Sequence, residues 1–556
     1  MYDFLIKNVQ VVDGTGAEPF TGDIGVKDGR IADVGVRQGA GQRTIDGSEL
    51  AAVPGFIDMH SHTDLEFFQA QAPDAKVRQG VTTELLAQDG LGVAPVSDEN
   101  VQLVSELVAG LLGKLPLERW AWRSFDGYLR TLDRRGLPNN AAALVPHGLV
   151  RIMAMGMENR PATPQELDEM RALVREALAC GAYGLSTGLI YPPCSYSPAD
   201  ELVALNREVA ARDGIFVVHQ RDEGYALPQS FAEVCQVARQ SGVHLHVSHL
   251  KAYGQVNWPL MDQILEAADT FLKEGNQVTW DRYPYLAGCT VLSAVLPDWT
   301  LAGGTQALVT NLMDPEFRVR IHQDFQKGLD VWNNRALSIG WSNIVISGVS
   351  SEKNRWMEGR DCDELAHACG KDPVDFVCDL LAEEKLAVTK ISVYGSERVL
   401  EKVLHHPQAT VGSDGIFVGR PHPRLYGTYP RYLKTFVREK KLLSLPEAIR
   451  KVTSFPAHIL RLKERGTLQA GFWADMVLLD PESVADTATY EEPEAYPRGI
   501  PYVFVNGQLV VEGGQSTGAL PGQVLRKQAF PATAQVQRTF ATKSGCFEAQ
   551  SARAGR

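Results

Sequence analysis

The sequence holds no cysteine pair in a C-x-x-C arrangement. Its eight cysteines (Cys180, Cys194, Cys235, Cys289, Cys362, Cys369, Cys378 and Cys546) are scattered through 556 residues. Such spacing suggests neither a thiolate zinc site nor a disulfide framework, and a reducing compartment is the expectation. There is no run of 18 or more apolar residues, so no membrane span is expected. The first residues, Met1-Tyr2-Asp3-Phe4-Leu5-Ile6-Lys7, lack a basic segment ahead of a long apolar one, and no signal peptide is read there. Positive charge is also short: 55 basic residues stand against 67 acidic ones, a net charge of −12. That balance carries no general attraction for nucleic-acid phosphates or anionic lipid. No G-x-G-x-x-G follows the first strand-like run, which argues against a dinucleotide fold. The expectation left standing is a cytoplasmic protein whose partner is a small molecule, with no nucleic acid and no membrane. Assembly into a homo-oligomer is left open.

At roughly 150 residues per domain the length alone suggests about four domains. The pattern along the chain suggests two. Short β-rich runs occupy 4–12 and 23–36, the latter around the turn pair Asp28-Gly29. Near the other end, Ala474 to Asp480 reads as a strand, and Tyr502 to Val511 as a hairpin around Asn506-Gly507. Neither end has enough strands to bury a sheet alone, so both are expected to build one small β-sandwich domain, 1–53 plus 467–530. Residues 54–466 alternate strand-like and helix-like segments, which implies a parallel sheet, open or closed into a barrel. The expected fold class is α/β, a (β/α)8 barrel plus that small β domain. The stretch 531–556, rich in Ala, Thr, Ser and Gln, reads as a poorly ordered tail.

Polar, reactive residues sit at the carboxyl ends of the middle strands: His60 and His62, Asp89, His219, His249, Asp281 and Asp414. In a (β/α)8 barrel that end carries the active site. Pro54-Gly-Phe-Ile-Asp-Met-His-Ser-His62 is an apolar strand ending in His-x-His, whose alternate residues face the same way. Two imidazoles that converge suit a divalent metal such as zinc. A lone strand-end histidine is more often packing than ligand. Four of them, with Asp414 after Val411-Gly412-Ser413, are hard to explain as packing.

These residues, with Gly184-Leu-Ser-Thr-Gly-Leu-Ile-Tyr191, His219-Gln-Arg-Asp-Glu223, His246-Val-Ser-His-Leu-Lys251, Asp281-Arg-Tyr-Pro-Tyr285, Gly412-Ser-Asp-Gly415, His422-Pro-Arg424 and Ala474-Asp-Met-Val477, resemble the amidohydrolase superfamily and within it the N-acyl-D-amino-acid deacylases (D-aminoacylases). The resemblance runs from Asp13 to about Arg526. It implies a metal-dependent amide hydrolase that removes the acyl group from N-acyl-D-amino acids. His60, His62 and Asp414 would hold one metal, and His219 and His249 a second, with zinc the expected ion at one or both positions. The family's Gly-Asn-Cys-Gly turn is replaced by Ala87-Gln-Asp-Gly90, which puts Asp89 in the slot of a metal-binding cysteine. A carboxylate there can bind or bridge metals. The implied chemistry is attack by hydroxide generated at the metal, with Asp414 as general base and then general acid.

For the substrate carboxylate the resemblance points to Lys251, assisted by Tyr283 or Tyr285. Arg424 and Arg221 are alternatives, although Arg221 could equally pair with Glu223. Thr290 stands near the family's usual serine and offers its hydroxyl. Tyr191 is a candidate for the pocket wall, and His147 for a position near the site. A segment of about 292–344, with Trp299, Gly303-Gly304, Trp332 and Trp341, breaks the strand-helix rhythm and is expected to fold over the barrel mouth as a lid. Two other readings keep the barrel. One is a cyclic amidase (hydantoinase- or dihydropyrimidinase-like) or dipeptidase, and the other a scaffold without activity. Tyr-Pro-Tyr and His-x-Arg-x-Glu favour the deacylase over the first, and retention of His60, His62, His219, His249 and Asp414 disfavours the second.

Overall fold

The computed structural model describes residues 1–35, 39–329 and 332–528. The 531–556 segment read as a tail, and Cys546 within it, lie outside the described residues. Eight short parallel strand positions follow one another around a barrel: Phe56–Asp58, Val81–Leu86, Asn140–Ala143 continued by Val145–Pro146, Gly184–Gly188, Ile215–His219, His244–Val247, Val278–Asp281 and Ala409–Thr410. The circle closes where the last strand returns to the first. There Asp414 N donates to His60 O at 2.8 Å, and Ser61 bridges Gly415 in parallel. The strands are almost continuously buried, as a parallel sheet covered by helices requires. The helix Pro164–Ala179 starts at a capping box made by Thr163 and Glu166, and Met170, Val174, Ala177 and Leu178 face inward at helical spacing.

The two ends of the chain meet in one nine-stranded sheet. Ala51–Pro54 lies antiparallel to Met476–Leu479, with Val53 opposite Val477. The turn pairs Asp28-Gly29 and Asn506-Gly507 all have positive φ, as tight hairpins need. Alternation along Met476–Leu479 splits the sheet between two cores. Met476 and Leu478 join Ile6, Ile24 and Phe504 in the core of the small domain. Val477 and Leu479 join Tyr429, Tyr432, Phe436 and Val452 against the barrel helices. The fold class is the one expected, a (β/α)8 barrel with a β domain from both termini.

The interruption of the barrel is longer than the 292–344 read from the sequence. A three-stranded antiparallel sheet, Ala287–Val291, Thr389–Val393 and Ile344–Gly348, frames it, and its own apolar core runs from Leu292 to Val388. Its second half contains the helices Cys362–Ala368 and Pro373–Glu383 ahead of the strand Thr389–Val393. That order imitates the rhythm of the barrel, which is why the boundary was hidden. Among the described residues no helix is long and apolar enough to cross a membrane.

Candidate metal centre and catalytic cavity

The barrel brings His60, His62, Asp89, His219, His249 and Asp414 to one end, all buried. Three sets of three have ligand atoms within 4.8 Å of one another: His60, His249 and Asp414; His60, His62 and Asp89; and Asp89, His219 and His249. Asp89 belongs to two of these. Its Oδ2 lies 3.7 Å from Nε2 of both His60 and His62, and its Oδ1 lies 3.9 Å from His219 Nδ1. Asp414 Oδ1 is 3.2 Å from His62 Nε2 and 3.7 Å from His60 Nε2.

Local backbone aims these groups inward. Asp89, His249 and Asp414 all adopt positive φ (59°, 35° and 50°), a conformation that costs an L-residue about 1 kcal/mol or more and gathers at functional sites. Gly412 is required beside Asp414, because a Cβ there would stand 2.6 Å from the His60 Cβ and 2.7 Å from Asp281 Oδ1. Asp58 ties the first and last strand ends together by accepting from His60 N (3.2 Å), Ser413 N (2.8 Å) and Lys76 Nζ (2.6 Å).

The electrostatics match a cation-binding site. Both ring nitrogens of His60 and of His219, His62 Nδ1 and Asp89 Oδ1 are buried without a hydrogen-bond partner. Each such atom costs on the order of 1–3 kcal/mol unless something satisfies it. Burial opposes charge on His60, but Asp414, Asp89 and Asp281 raise its pKa well above the usual imidazole range. Burial, with His249 and Lys251 adding to it, holds His219 at about 3. Against burial, His60 and His219 lower Asp89, and Arg424 and His60 lower Asp414. Four imidazoles and two ionised carboxylates form a nitrogen–oxygen donor set that fits zinc or a similar divalent ion.

Around the cluster lies a narrow cavity of about 40 Å³ walled by Tyr191, Lys251, Tyr283, Thr290, Arg335 and Lys390. It shares Leu111, Ile190 and Tyr191 with a wider, mainly apolar cavity of about 530 Å³. Tyr191 Oη and Thr290 Oγ1 are 2.7 Å apart. Tyr283 and Tyr394 join hydroxyl to hydroxyl.

Four sequence candidates do not line this cavity. Arg221 turns outward, where its guanidinium takes Glu233 at 3.0 Å and the carbonyls of Ser195 and Ser197. The pairing of Arg221 with Glu223 is not formed. Glu223 instead pairs with Lys251 and lies 3.3 Å from His249 Nδ1. His147 is locked behind the wall between Thr187 and Glu201, at 2.9 and 2.8 Å. Tyr285 stacks edge-on against His422 with its hydroxyl 3.4 Å from Pro423 O. Each sits in a loop or on a helix start, where strand alternation no longer fixes which way a side chain points. Arg424 is fully buried behind the cavity, where it holds Asp414 Oδ2 at 2.9 Å and lies over the Tyr283 ring.

Glu223, Asp281, Tyr394, Arg335 and Lys390 were not among the candidates. Asp281 carried a visible signal as a strand-end carboxylate. It supports His60 Nδ1 at 3.5 Å, His246 Nε2 at 3.3 Å and the His249 backbone N–H at 3.0 Å. Glu223 closes the His219-Gln-Arg-Asp-Glu223 motif, where the sequence suggests it only as a partner of Arg221, and the other three had no recognisable motif of their own.

The amidohydrolase family model matches residues 43–511. D-aminoacylase of Alcaligenes xylosoxydans xylosoxydans is 32% identical over 530 residues, 95% of this chain and 98% of the relative. N-acyl-D-aspartate deacylase of the same organism is 32% identical over 94% of this chain and 95% of its own length. The crystal structure of N-acyl-D-glutamate deacylase from Bordetella bronchiseptica, complexed with zinc and a phosphonate mimic of the tetrahedral intermediate, superposes with a TM-score of 0.81. It is 33% identical and covers 94% of this chain and 99% of the other.

Proposed function

The chain belongs to the amidohydrolase family, and within it we propose a deacylase in which Asp414 carries the proton between water and the leaving nitrogen. The protein is a metal-dependent hydrolase that removes the acyl group from N-acyl-D-amino acids, as its relatives along nearly the whole chain do. The observation that carries this reading is the convergence of buried, unpartnered histidine nitrogens with Asp89 and Asp414 at the barrel mouth. His60, His62, His219, His249, Asp89 and Asp414 are the residues that would hold the metal. When bound, a divalent ion there supplies Lewis acidity to the scissile carbonyl and makes a neutral-pH nucleophile of water.

The protein's own groups do the rest. Arg424 holds Asp414 Oδ2 and so keeps the carboxylate ionised and in one orientation. Asp414 Oδ1, on the cluster side, accepts the proton of the attacking water and returns it to the nitrogen as the amide breaks. Lys251, Tyr283 and Thr290 are the groups we assign to the amino-acid carboxylate, and Lys251 shares its charge with Glu223. Tyr191 stands between the narrow cavity and the wider apolar one, which is the room for the acyl group.

The test is an assay of the metal-loaded protein on matched N-acyl-D- and N-acyl-L-amino acids and on hydantoins, with metal content measured on the same sample. D-selective release of the amino acid is expected. Hydrolysis of hydantoins alone, or of the L-series alone, would overturn the assignment.

A further inference from the structure

The cavity wall carries more positive charge than the expected reaction uses. Lys251 is paired with Glu223, and Arg424 behind the wall with Asp414. Among the described residues neither Arg335 nor Lys390 has a carboxylate within ion-pair distance, and the partly buried Asp222 acts on Arg335 only from farther away. Arg335, which begins the helix Arg335–Ile339, donates Nη1 to Ala294 O at 2.7 Å and is one of the residues that line the cavity. Lys390 Nζ donates to Ser392 Oγ at 2.7 Å. They are 7% and 1% exposed.

Register places Lys390 on the substrate side. It lies on the middle strand of the three-stranded sheet, directly opposite Thr290, and Ser392 lies opposite Gly288. Cross-strand partners and i, i+2 neighbours share a face, and all four of these residues line the cavity. The ionisable neighbours of Lys390 are Arg335, Lys251 and two thiols, Cys289 and Cys362, both raised by burial. Burial, then Arg335, pushes Lys390 itself down to about 7. Two desolvated cations with no carboxylate in contact are costly to keep, since Asp222 offsets Arg335 only from a distance, and an incoming carboxylate lowers that cost. A guanidinium fork beside an ammonium is the arrangement that grips a carboxylate.

We propose that Arg335 and Lys390 bind the side-chain carboxylate of an acidic N-acyl-D-amino acid. The substrate would thus be a dicarboxylate, with its α-carboxylate at Lys251 and its second at this pair. This rests on the deacylase reading above and specifies the substrate class of the same site.

The discriminating pair is N-acetyl-D-glutamate against N-acetyl-D-glutamine, which differ in charge but scarcely in shape. The wild-type protein is expected to favour the glutamate compound in kcat/KM by about 100-fold or more, because the amide leaves both cations unpaired. In Arg335→Met and in Lys390→Met that ratio is expected to fall about 100-fold. Calorimetric binding of free D-glutamate and D-glutamine to the zinc-loaded protein supplies a readout apart from turnover, with the same preference expected. A wild-type preference for the neutral compound, or equal losses on both compounds in the two variants, overturns the proposal. Hydrolysis of neither compound, with D-glutamate still bound better than D-glutamine, counts against the deacylase reading and supports the anion site. Should one variant fail to fold, the other and the wild-type ratio still decide.

Discussion

Asp281 touches three histidine positions from a single carboxylate. It faces the His60 ring, the His246 ring and the backbone N–H of His249. A carboxylate behind a metal-binding imidazole fixes its tautomer and raises its basicity, and losing one typically costs 10- to 100-fold in metal affinity. Asp281→Asn is therefore expected to need about 10- to 100-fold more zinc for half-maximal activity, with near wild-type kcat at saturating metal. A titration of chelator-treated protein with zinc measures this. An unchanged zinc requirement would assign Asp281 to packing. Asp89 makes a stronger claim, since it contributes to two of the three ligand sets. Asp89→Ala is expected to lower the metal retained per chain and to reduce kcat/KM by more than about 100-fold. Unchanged metal content and activity would remove Asp89 from the site. Asp89→Cys, which restores the side chain found at this turn in the resembling family, is expected to bind zinc and retain activity.

At the scale of elements, what could be read from the sequence follows from how firmly the backbone aims each side chain. The apolar strands whose carboxyl ends lead into His60, His62, His219, His249 and Asp414 were legible because that end of a barrel carries the site, and the short turns after the strands gather these residues there. The Asp28-Gly29 and Asn506-Gly507 turns were legible because positive φ restricts the residue types. Arg221, His147 and Tyr285 follow their strands as closely, but partners distant in sequence, Glu233, Glu201 and His422, draw them away from the cavity. The insertion hid its contribution for a different reason. Lys390 looks like any strand residue until its pairing with Thr290 is known. This buried lysine has a stability consequence with a definite sign. Its folded pKa of about 7 lies below the ordinary 10.5. Folding is therefore penalised in full below pH 7, and the penalty fades as pH rises toward 10.5. It is on the order of a few kcal/mol for a group so deeply buried. Lys390→Met keeps the stem and removes the charge. It is expected to raise the melting temperature of the ligand-free protein at pH 6 and to raise it by less at pH 9. A variant that melts lower than wild type at pH 6 would show that Lys390 is already compensated.

Across the whole molecule, the nine-stranded terminal sheet and the barrel share one apolar cluster, in which Val53, Val477, Leu479, Val503 and Val511 pack with Tyr429, Tyr432, Phe436 and Ile449. A buried polar network crosses the same junction at the end of the barrel away from the metal. Arg465 pairs with Asp475 and donates to Asn506 Oδ1 at 2.8 Å. Asp475 accepts from the Asn506 backbone N–H at 2.8 Å and from Asn140 Nδ2 at 3.2 Å. Asn506 Nδ2 reaches both Asn140 Oδ1 and Pro521 O at 2.8 Å. Asn140 starts the third barrel strand, Asn506 turns the terminal hairpin, and Pro521 leads the chain back along the barrel, so four distant segments depend on Asp475. The amino-terminal face of such a barrel serves stability rather than chemistry. Asp475→Ala leaves the Arg465 charge buried with no counter-ion and the Asn506 N–H unmet, a loss of about 3–5 kcal/mol. Both the terminal sheet and the barrel are expected to lose stability together, because they share the cluster that the network fastens. The melting temperature should fall by about 3–5 °C, while kcat/KM measured well below the transition stays at the wild-type value. The insertion, with its separate core from Leu292 to Val388, should melt independently of the change. Calorimetry of the variant, with an activity measurement at low temperature, decides this. A fall in kcat/KM without a fall in melting temperature would mean that the far end of the barrel positions the metal site rather than holding the two sheets together.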